Sequence, residues 1–226
     1  MIIIRYTNDK EGKLELNLLM QTNLNRLRRL GLVSVSLIEG YAVGGGAEVS
    51  TSTDFRVMTS TEKSYIRFIH NKLSLCPGWG GGSRLTQIIG RKKALEVMLQ
   101  AEKLSAAKAY EYGIVDDIIQ GNGYDGAMNF LEQYTQFNVN STRAIKKIVA
   151  SNGLVERWCV DAEANIITPD LLAQERAIFG DLFNSPENVH AFENTDIVKR
   201  HFPKKQWFCH FSMCLLEFHF IQIIVL

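Results

Sequence analysis

The sequence predicts a layered α/β fold, and three observations support this. Residues 32–40, LVSVSLIEG, alternate apolar residues with serine, which is the period of a β-strand. Three consecutive glycines follow within GYAVGGGAE, residues 40–48, where the chain turns towards a segment of helical composition. From residue 81 onwards, apolar residues recur at three- and four-residue spacing, as in amphipathic helices. Strand, glycine-rich turn, helix and strand in succession are typical of α/β layers.

Composition and charge narrow the class of protein. The chain has 226 residues, 46% of them apolar, which is enough for one sizeable core. Its 25 basic and 24 acidic residues nearly cancel, so the charge pattern does not favour nucleic acid or an anionic membrane as a partner. The four cysteines form no CxxC pair and no zinc-ligand pattern, which indicates a reducing compartment. The first residues lack the apolar stretch of a secretory signal, so we expect a cytoplasmic protein.

The C-terminal segment, residues 207–226, is unusually rich in aromatic and branched residues. A transmembrane helix needs about 20 mostly apolar residues, and His210, Glu217 and His219 interrupt this segment. We expect a strand, a docking segment or an unrelated tail instead. Its apolar residues are also suited to covering exposed core surface, so deletion of residues 204–226 is expected to lower solubility.

Several elements are predicted before residue 81. A helix is expected over residues 14–30, ending at Gly31 as its C-cap. Its apolar stripe consists of Leu16, Met20, Leu24, Leu27 and Leu30. After the strand and the glycines, AEVSTST fits a short helix, DFRVMTS a strand and YIRFIH a further extended segment. The order of these elements is that of α/β layers.

The second half is predicted to be mainly helical. One helix reaches Gly90, and a later one is N-capped by Ser105 and stops at Gly113. Two further helical stripes consist of Ala127, Phe130, Leu131, Tyr134 and Phe137, and of Ala144, Ile145, Ile148 and Val149.

The glycine triplet has two interpretations. Glycines before a helix let an anionic oxygen approach the unpaired N–H groups of its first turn. Neither GxxxxGK[ST] nor GxGxxG is present here, so an oxyanion site fits better than a phosphate site. The alternative is that the glycines only let the strand and the helix pack closely.

Three segments together resemble the enoyl-CoA hydratase/isomerase family, also called crotonases. They are GYAVGGGAE, LCPGWGGGSRLTQIIG at residues 75–90 and LSAAKAYEYGIVDDII at residues 104–119. The resemblance implies a ββα spiral without its N-terminal third, followed by C-terminal helices, in subunits that form trimers or hexamers. It also implies acyl-CoA substrates and no metal or redox cofactor. The expected division is a partial spiral core at 1–120, helices at 121–202 and an apolar tail at 203–226.

The resemblance also assigns site residues. The oxyanion donor falls on the backbone N–H of Gly45, one catalytic carboxylate on Glu48, and the position of the second carboxylate on His70. Glu48 also fits a role in complementing the helix dipole, and His70 fits a structural hydrogen bond.

Gly44, Pro77 and Trp79 are assigned to substrate binding. Trp79 is equally suited to an acyl pocket and to the core, and Pro77 to fixing a turn.

The function implied by the resemblance follows from His70. Hydration of an enoyl thioester uses paired carboxylates, and a histidine in place of one argues against it. The segment around His70 most resembles family members that decarboxylate ethylmalonyl-CoA or methylmalonyl-CoA, which removes a by-product of fatty-acid synthesis. The first oxyanion loop of the family has no counterpart here. The alternative is therefore an inactive fragment that associates with intact subunits, with a hydratase or isomerase as a third interpretation.

Overall fold

The computed structural model describes residues 10–137, scattered positions from 139 to 190, and the backbone of 221–225. The helices are α1 (Lys10–Arg28), α2 (Gly45–Ser50), α3 (Gly81–Gln100), α4 (Ala106–Glu111) and α5 (Gly123–Thr135), with a 3-10 helix at Ile69–Leu73. The strands are β1 (Ser34–Ile38), β2 (Tyr41–Val43), β3 (Phe55–Thr59), β4 (Tyr65–Arg67), β5 (Leu104–Ser105), β6 (Asp117–Ile119) and β7 (Ile221–Val225). The predicted alternation of strands and helices is confirmed.

Helix α1 forms where a helix is predicted, but its buried face is different. Asn17, Gln21 and Leu24 are its buried positions, and they recur at helical spacing. Leu30, which the predicted stripe includes, lies beyond the helix and is 42% exposed. Within the predicted stripe, Leu24 is buried and Leu16, Met20 and Leu27 are half-buried. The buried face also includes amide groups, and the Gln21 Nε2 donates to the Gly78 carbonyl of the turn before α3.

The larger sheet has the strand order β6-β3-β1-β7. Strand β1 pairs in parallel with β3, and β3 pairs in parallel with β6. The alternation in β1 predicts the strand correctly, yet all five of its residues are buried. Its serine face is covered too: Ser34 Oγ donates to Asp54 Oδ2 at 2.9 Å, and Ser36 Oγ lies 2.9 Å from Thr53 Oγ1. Hydrogen bonds from the turn after α2 make this burial of hydroxyl groups possible.

The smaller sheet has the order β2-β4-β5 and lies directly beside the glycine triplet. Strands β2 and β4 are parallel, with Val43 opposite Arg67. The segment YIRFIH is extended only over β4, and its last residues enter the 3-10 helix, which begins at Ile69. The two strands therefore bring the residues after Val43 and those after Arg67 to the same end of the sheet.

The helices after residue 81 include several predicted features. Gly90 has a φ of 76° and interrupts the helical backbone of α3. The side chain of Ser105 accepts a hydrogen bond from the Lys108 N–H and caps α4, as predicted. In the later stripes, Phe137, Ile145 and Val149 are 71%, 62% and 65% exposed, so their expected burial is wrong. Ala144 and Ile148 lie outside the described residues.

The last strand, β7, pairs antiparallel with β1, from Ser34 opposite Val225 to Ile38 opposite Ile221. This part of the apolar tail is a strand, one of the expected forms, and it covers the edge of β1 that β3 leaves open. The loss of solubility on deletion of 204–226 stays a prediction, as does the division of the chain at residues 120 and 202. No helix in the described part of the chain is long and apolar enough to cross a membrane.

Candidate active site

The glycine triplet makes a sharp entry into α2. Gly44 has φ 55° and ψ −119°, a conformation that residues with a side chain rarely adopt. Its N–H donates to the Arg67 carbonyl at 3.0 Å, and its carbonyl accepts from the Glu48 N–H at 3.0 Å. Gly45 is the first residue of α2 and is buried. The glycines therefore place the positive end of the α2 dipole at the end of β2.

Trp79 lies over Gly45. A Cβ atom built on Gly45 would overlap the Trp79 ring, so close packing is one reason for glycine at this position. The Trp79 ring is 4% exposed and packs in a cluster with Leu24 and Val49. Pro77 is buried and lies near Gly82 at the start of α3. The substrate-binding roles of Gly44, Pro77 and Trp79 stay predictions.

Glu48 is a buried carboxylate, 2% exposed, on the first turn of α2. Its Oε2 accepts the backbone N–H groups of Trp79 at 2.8 Å and Gly81 at 3.0 Å. Its Oε1 accepts the Gly78 N–H at 3.4 Å and lies 3.1 Å from Nε2 of His70. Glu48 thus holds the turn that leads into α3, and a Cβ atom on Gly81 would overlap its side chain.

His70 lies on the 3-10 helix after β4 and is 7% exposed. Within the described part of the chain, no group hydrogen-bonds to its Nδ1. One imidazole nitrogen is therefore held by Glu48, and the other has no partner there. The structure brings His70 and Glu48 together although they are 22 residues apart in sequence. Trp79 connects this pair to Gly45, because its N–H bonds Glu48 and its ring lies over Gly45.

The surroundings of Glu48 favour its ionised form. Burial alone would raise the pKa of the Glu48 carboxyl. The hydrogen bond and charge of His70, the N–H of Gly81 and the guanidinium of Arg84 outweigh it and hold this pKa below its ordinary value. Glu48 is therefore a carboxylate at neutral pH.

Two residues that sequence reasoning missed also build the site. Arg84 is 1% exposed, and its Nη2 donates to the carbonyls of Glu48 and Trp79, both at 3.0 Å. Gln21 of α1 donates from Nε2 to the Gly78 carbonyl at 2.8 Å. The position of Arg84 could have been noticed in the sequence. A cation in the first turns of a helix is unfavourable next to the positive end of the helix dipole, so Arg84 is expected to have nearby acceptors. Gln21 gave no such signal.

Among the residues described, no group of three histidine, cysteine, aspartate or glutamate side chains is placed to hold a metal ion. Gly45, Glu48, His70 and Trp79 form one buried cluster, with the α2 dipole, a carboxylate and an imidazole as its polar groups. Such a cluster can polarise a carbonyl oxygen and move a proton.

Curated relatives are similar to this chain over most of its length. The chain is 39% identical over 188 residues to the ethylmalonyl-CoA decarboxylase of Xenopus laevis, covering 82% of this chain and 58% of that protein. It is 36% identical over 176 residues to the ethylmalonyl-CoA decarboxylase of Homo sapiens, covering 76% of this chain and 53% of that protein. The chain thus spans less than two thirds of the length of these relatives.

The solved structures share the fold. An enoyl-CoA hydratase from Bacillus halodurans superposes with a TM-score of 0.66 at 21% identity, covering 80% of this chain and 68% of that one. A putative enoyl-CoA hydratase from Thermobifida fusca, solved with acetoacetyl-CoA, superposes with a TM-score of 0.56 at 21% identity, covering 73% and 61%. The family profile described as enoyl-CoA hydratase/isomerase matches residues 5–187. The chain therefore belongs to the enoyl-CoA hydratase/isomerase family and has the crotonase-type ββα spiral fold that its sequence predicts.

Proposed function

We propose that the chain is an acyl-CoA lyase that decarboxylates ethylmalonyl-CoA or methylmalonyl-CoA. The observation that carries the proposal is that Glu48 faces a histidine, His70, at 3.1 Å and not a second carboxylate. Hydration of an enoyl thioester uses two carboxylates to position water and move its proton. The relatives named ethylmalonyl-CoA decarboxylase support decarboxylation instead.

Decarboxylation suits the polar groups of the cluster. The bond between the α-carbon and the carboxylate carbon breaks, CO2 leaves, and the electron pair moves into the thioester to form an enolate. The N–H of Gly45, at the start of α2, is the proposed donor to the enolate oxygen. A donor that strengthens as charge develops is typically worth about 3 kcal/mol. Because the thioester itself accepts the electron pair, this reaction needs no metal or redox cofactor.

His70 has two possible roles in this reaction. It orients the departing carboxylate, or it supplies the proton that converts the enolate to the product. Its Nδ1 is buried and has no hydrogen-bond partner among the described groups, so this is the nitrogen that we assign to either role. Histidine also changes its protonation state near neutral pH, which suits a proton donor.

The substrate class and assembly are part of the proposal. Two solved structures of the same fold were determined with acetoacetyl-CoA and with CoA, which supports a CoA thioester as substrate. Gly44, Pro77 and Trp79 are proposed to line the acyl group beside Gly45. We further propose that the chain forms a homo-oligomer of three or six copies or associates with intact family subunits. Its proposed role is in cytoplasmic fatty-acid metabolism.

An inactive chain is the second candidate. The chain spans 58% of the length of the Xenopus relative. The family resemblance identifies only one of the two oxyanion donors in the sequence, at Gly45. Loss of one oxyanion donor lowers a rate about 10²-fold or more. In this interpretation the chain acts by associating with intact family subunits.

Mass spectrometry of CoA products decides between these functions. The purified chain, His70→Ala and His190→Ala are each incubated with methylmalonyl-CoA, ethylmalonyl-CoA and crotonyl-CoA. His190 is an exposed histidine and serves as the matched control. We expect loss of CO2 from the malonyl-type thioesters, at least about 10²-fold slower in His70→Ala and unchanged in His190→Ala.

Other results contradict the proposal. No turnover by a chain with a cooperative thermal transition favours the inactive interpretation. Hydration of crotonyl-CoA without decarboxylation would make the chain a hydratase.

A further inference from the structure

The contacts of Glu48 determine which nitrogen of His70 carries a proton. Backbone N–H groups of the described residues Gly78, Trp79 and Gly81 face the carboxylate, and these can only donate. Both carboxylate oxygens therefore act as acceptors. Nε2 of His70 also lies 3.1 Å from Oε1. Because Glu48 is ionised, it has no hydrogen to donate, so Nε2 makes this hydrogen bond only if it carries one.

We propose that Glu48 is a positioning residue: it holds His70 as the Nε2–H tautomer and thereby leaves Nδ1 as the atom that exchanges a proton with the substrate. The tautomer follows from the contacts of the ionised carboxylate, whereas the proton exchange rests on the proposed function. This differs from the role that the family resemblance implies for Glu48, in which the carboxylate itself acts on the substrate.

The hydrogen bonds already made by Glu48 support a role through His70. Glu48 is 2% exposed, and its oxygens are occupied by the backbone donors and the imidazole. His70 is 7% exposed, and its Nδ1 is the polar atom of the pair without a partner in the described part of the chain. Nδ1 is itself buried, so it is distinguished from the carboxylate by this missing partner and not by exposure, and we assign the proton exchange to it.

The proton balance of the reaction follows from this assignment. With both ring nitrogens protonated, His70 keeps its Nε2–H on Glu48 and gives the Nδ1 proton to the α-carbon of the enolate. The enolate electron pair forms the new C–H bond, and His70 becomes the neutral Nε2–H tautomer. A proton from water then returns to Nδ1. The negative charge of Glu48 stabilises the imidazolium before the transfer.

Glu48→Gln tests the assignment because it replaces the acceptor that faces His70 with an NH2 donor and changes the shape of the side chain very little. The side-chain carbonyl of the introduced glutamine is expected at the position of Oε2, where it accepts the two shorter backbone bonds, from Trp79 and Gly81. The NH2 group then faces His70 and donates to Nε2. His70 must become the Nδ1–H tautomer, with the proton on the opposite nitrogen.

Nitrogen NMR of the histidine-labelled full chain measures the tautomer directly. The signals of His70 are identified by their loss in His70→Gln, and they are recorded under conditions where the ring is neutral. We expect Nε2–H in the unaltered chain, Nδ1–H in Glu48→Gln, and Nε2–H in the matched control Glu111→Gln, whose exposed side chain pairs with Lys108. An Nδ1–H tautomer in the unaltered chain overturns the proposal even if Glu48→Gln does not fold. An unchanged tautomer in folded Glu48→Gln also overturns it.

Turnover in D2O separates this inference from the proposed function. If the chain decarboxylates methylmalonyl-CoA, we expect one stereochemically pure deuterium in the propionyl product. Glu48→Gln is expected to react about 10²-fold more slowly and to give both configurations, because water then supplies the proton. Unaltered stereochemistry and rate in Glu48→Gln would overturn the positioning role. No turnover, together with the expected tautomers, would overturn the proposed function but leave the assignment of the tautomer in place.

Discussion

Glu48 and Asn17 are both buried polar side chains on helices, and their surroundings are opposite. The carboxylate of Glu48 is met by three backbone N–H groups and the His70 imidazole. Asn17 is 0% exposed, and neither its Oδ1 nor its Nδ2 has a hydrogen-bond partner in the described part of the chain. Burial of a polar group is favourable only when the partners inside the protein replace water.

The comparison shows which of the two residues the fold depends on. The N–H groups of Trp79 and Gly81 have an acceptor because Glu48 is there, so the turn before α3 requires it. Asn17 lies one helical turn before Gln21, whose amide bonds the Gly78 carbonyl. Its burial follows from the position of Gln21 and Leu24 on the same face of α1. Glu48 is thus a stabilising group, whereas Asn17 is carried into the interior by its neighbours.

Removal of Glu48 is expected to have the largest effect. Glu48→Ala removes the acceptor of three buried backbone N–H groups and of His70, and we expect the free energy of unfolding to fall by about 3–5 kcal/mol. Urea denaturation measures this. The control Glu111→Ala removes an exposed pair with Lys108 and is expected to change stability by less than about 1 kcal/mol. A loss below about 1 kcal/mol for Glu48→Ala would make Glu48 no more stabilising than the exposed Glu111. It would contradict the conclusion that the fold depends on Glu48.

Acid is expected to have a smaller effect, through the same carboxylate. The pKa of Glu48 is lowered in the folded chain, so the unfolded chain binds the proton more tightly. Its contribution to stability is therefore complete above the unfolded pKa and is lost as the pH falls through the lower folded pKa. Glu48→Gln cannot lose this contribution, and its unfolding free energy should depend less steeply on pH below about pH 5. If the free energies of unfolding of the unaltered chain and of Glu48→Gln depend on pH in the same way, the pKa of Glu48 is not lowered by folding.

Asn17→Leu is expected to have the smallest effect, with the opposite sign. The substitution removes two buried polar atoms without partners in the described part of the chain and keeps the same number and branching of side-chain heavy atoms, so unfolding should cost about 1 kcal/mol more. The half-buried Asn25 on the same helix provides the control, and Asn25→Leu should alter stability by less than about 0.5 kcal/mol. Destabilisation by Asn17→Leu would indicate that the amide has a partner, and the contrast with Glu48 would disappear.

Much of the fold could be predicted from sequence because it depends on local interactions. The alternation in β1, the glycines before α2 and the Ser105 cap each involve residues a few positions apart. Packing between distant elements could not be predicted in this way. Leu30 and Phe137 continue apolar stripes but lie beyond the ends of α1 and α5, where no neighbouring element of the described chain covers them.

The candidate site was partly predictable for the same reason. Motif order points to Gly45, Glu48 and His70, and to the family. It does not show that Glu48 bonds the turn at residues 78–81, or that Arg84 and Gln21 hold that turn in place. These bonds join residues on different elements, and residue type alone does not specify them.

By itself, the sequence determined the α/β class, the family and the candidate site residues, because periodicity, glycine positions and motif order are properties of short segments. Only the tertiary structure decided that Nε2 of His70 faces Glu48, that Trp79 covers Gly45 and that β7 completes the sheet beside β1. Each of these contacts joins segments that are distant in sequence. Their partners are selected by which donors, acceptors and apolar surfaces the folded chain brings together and removes from water.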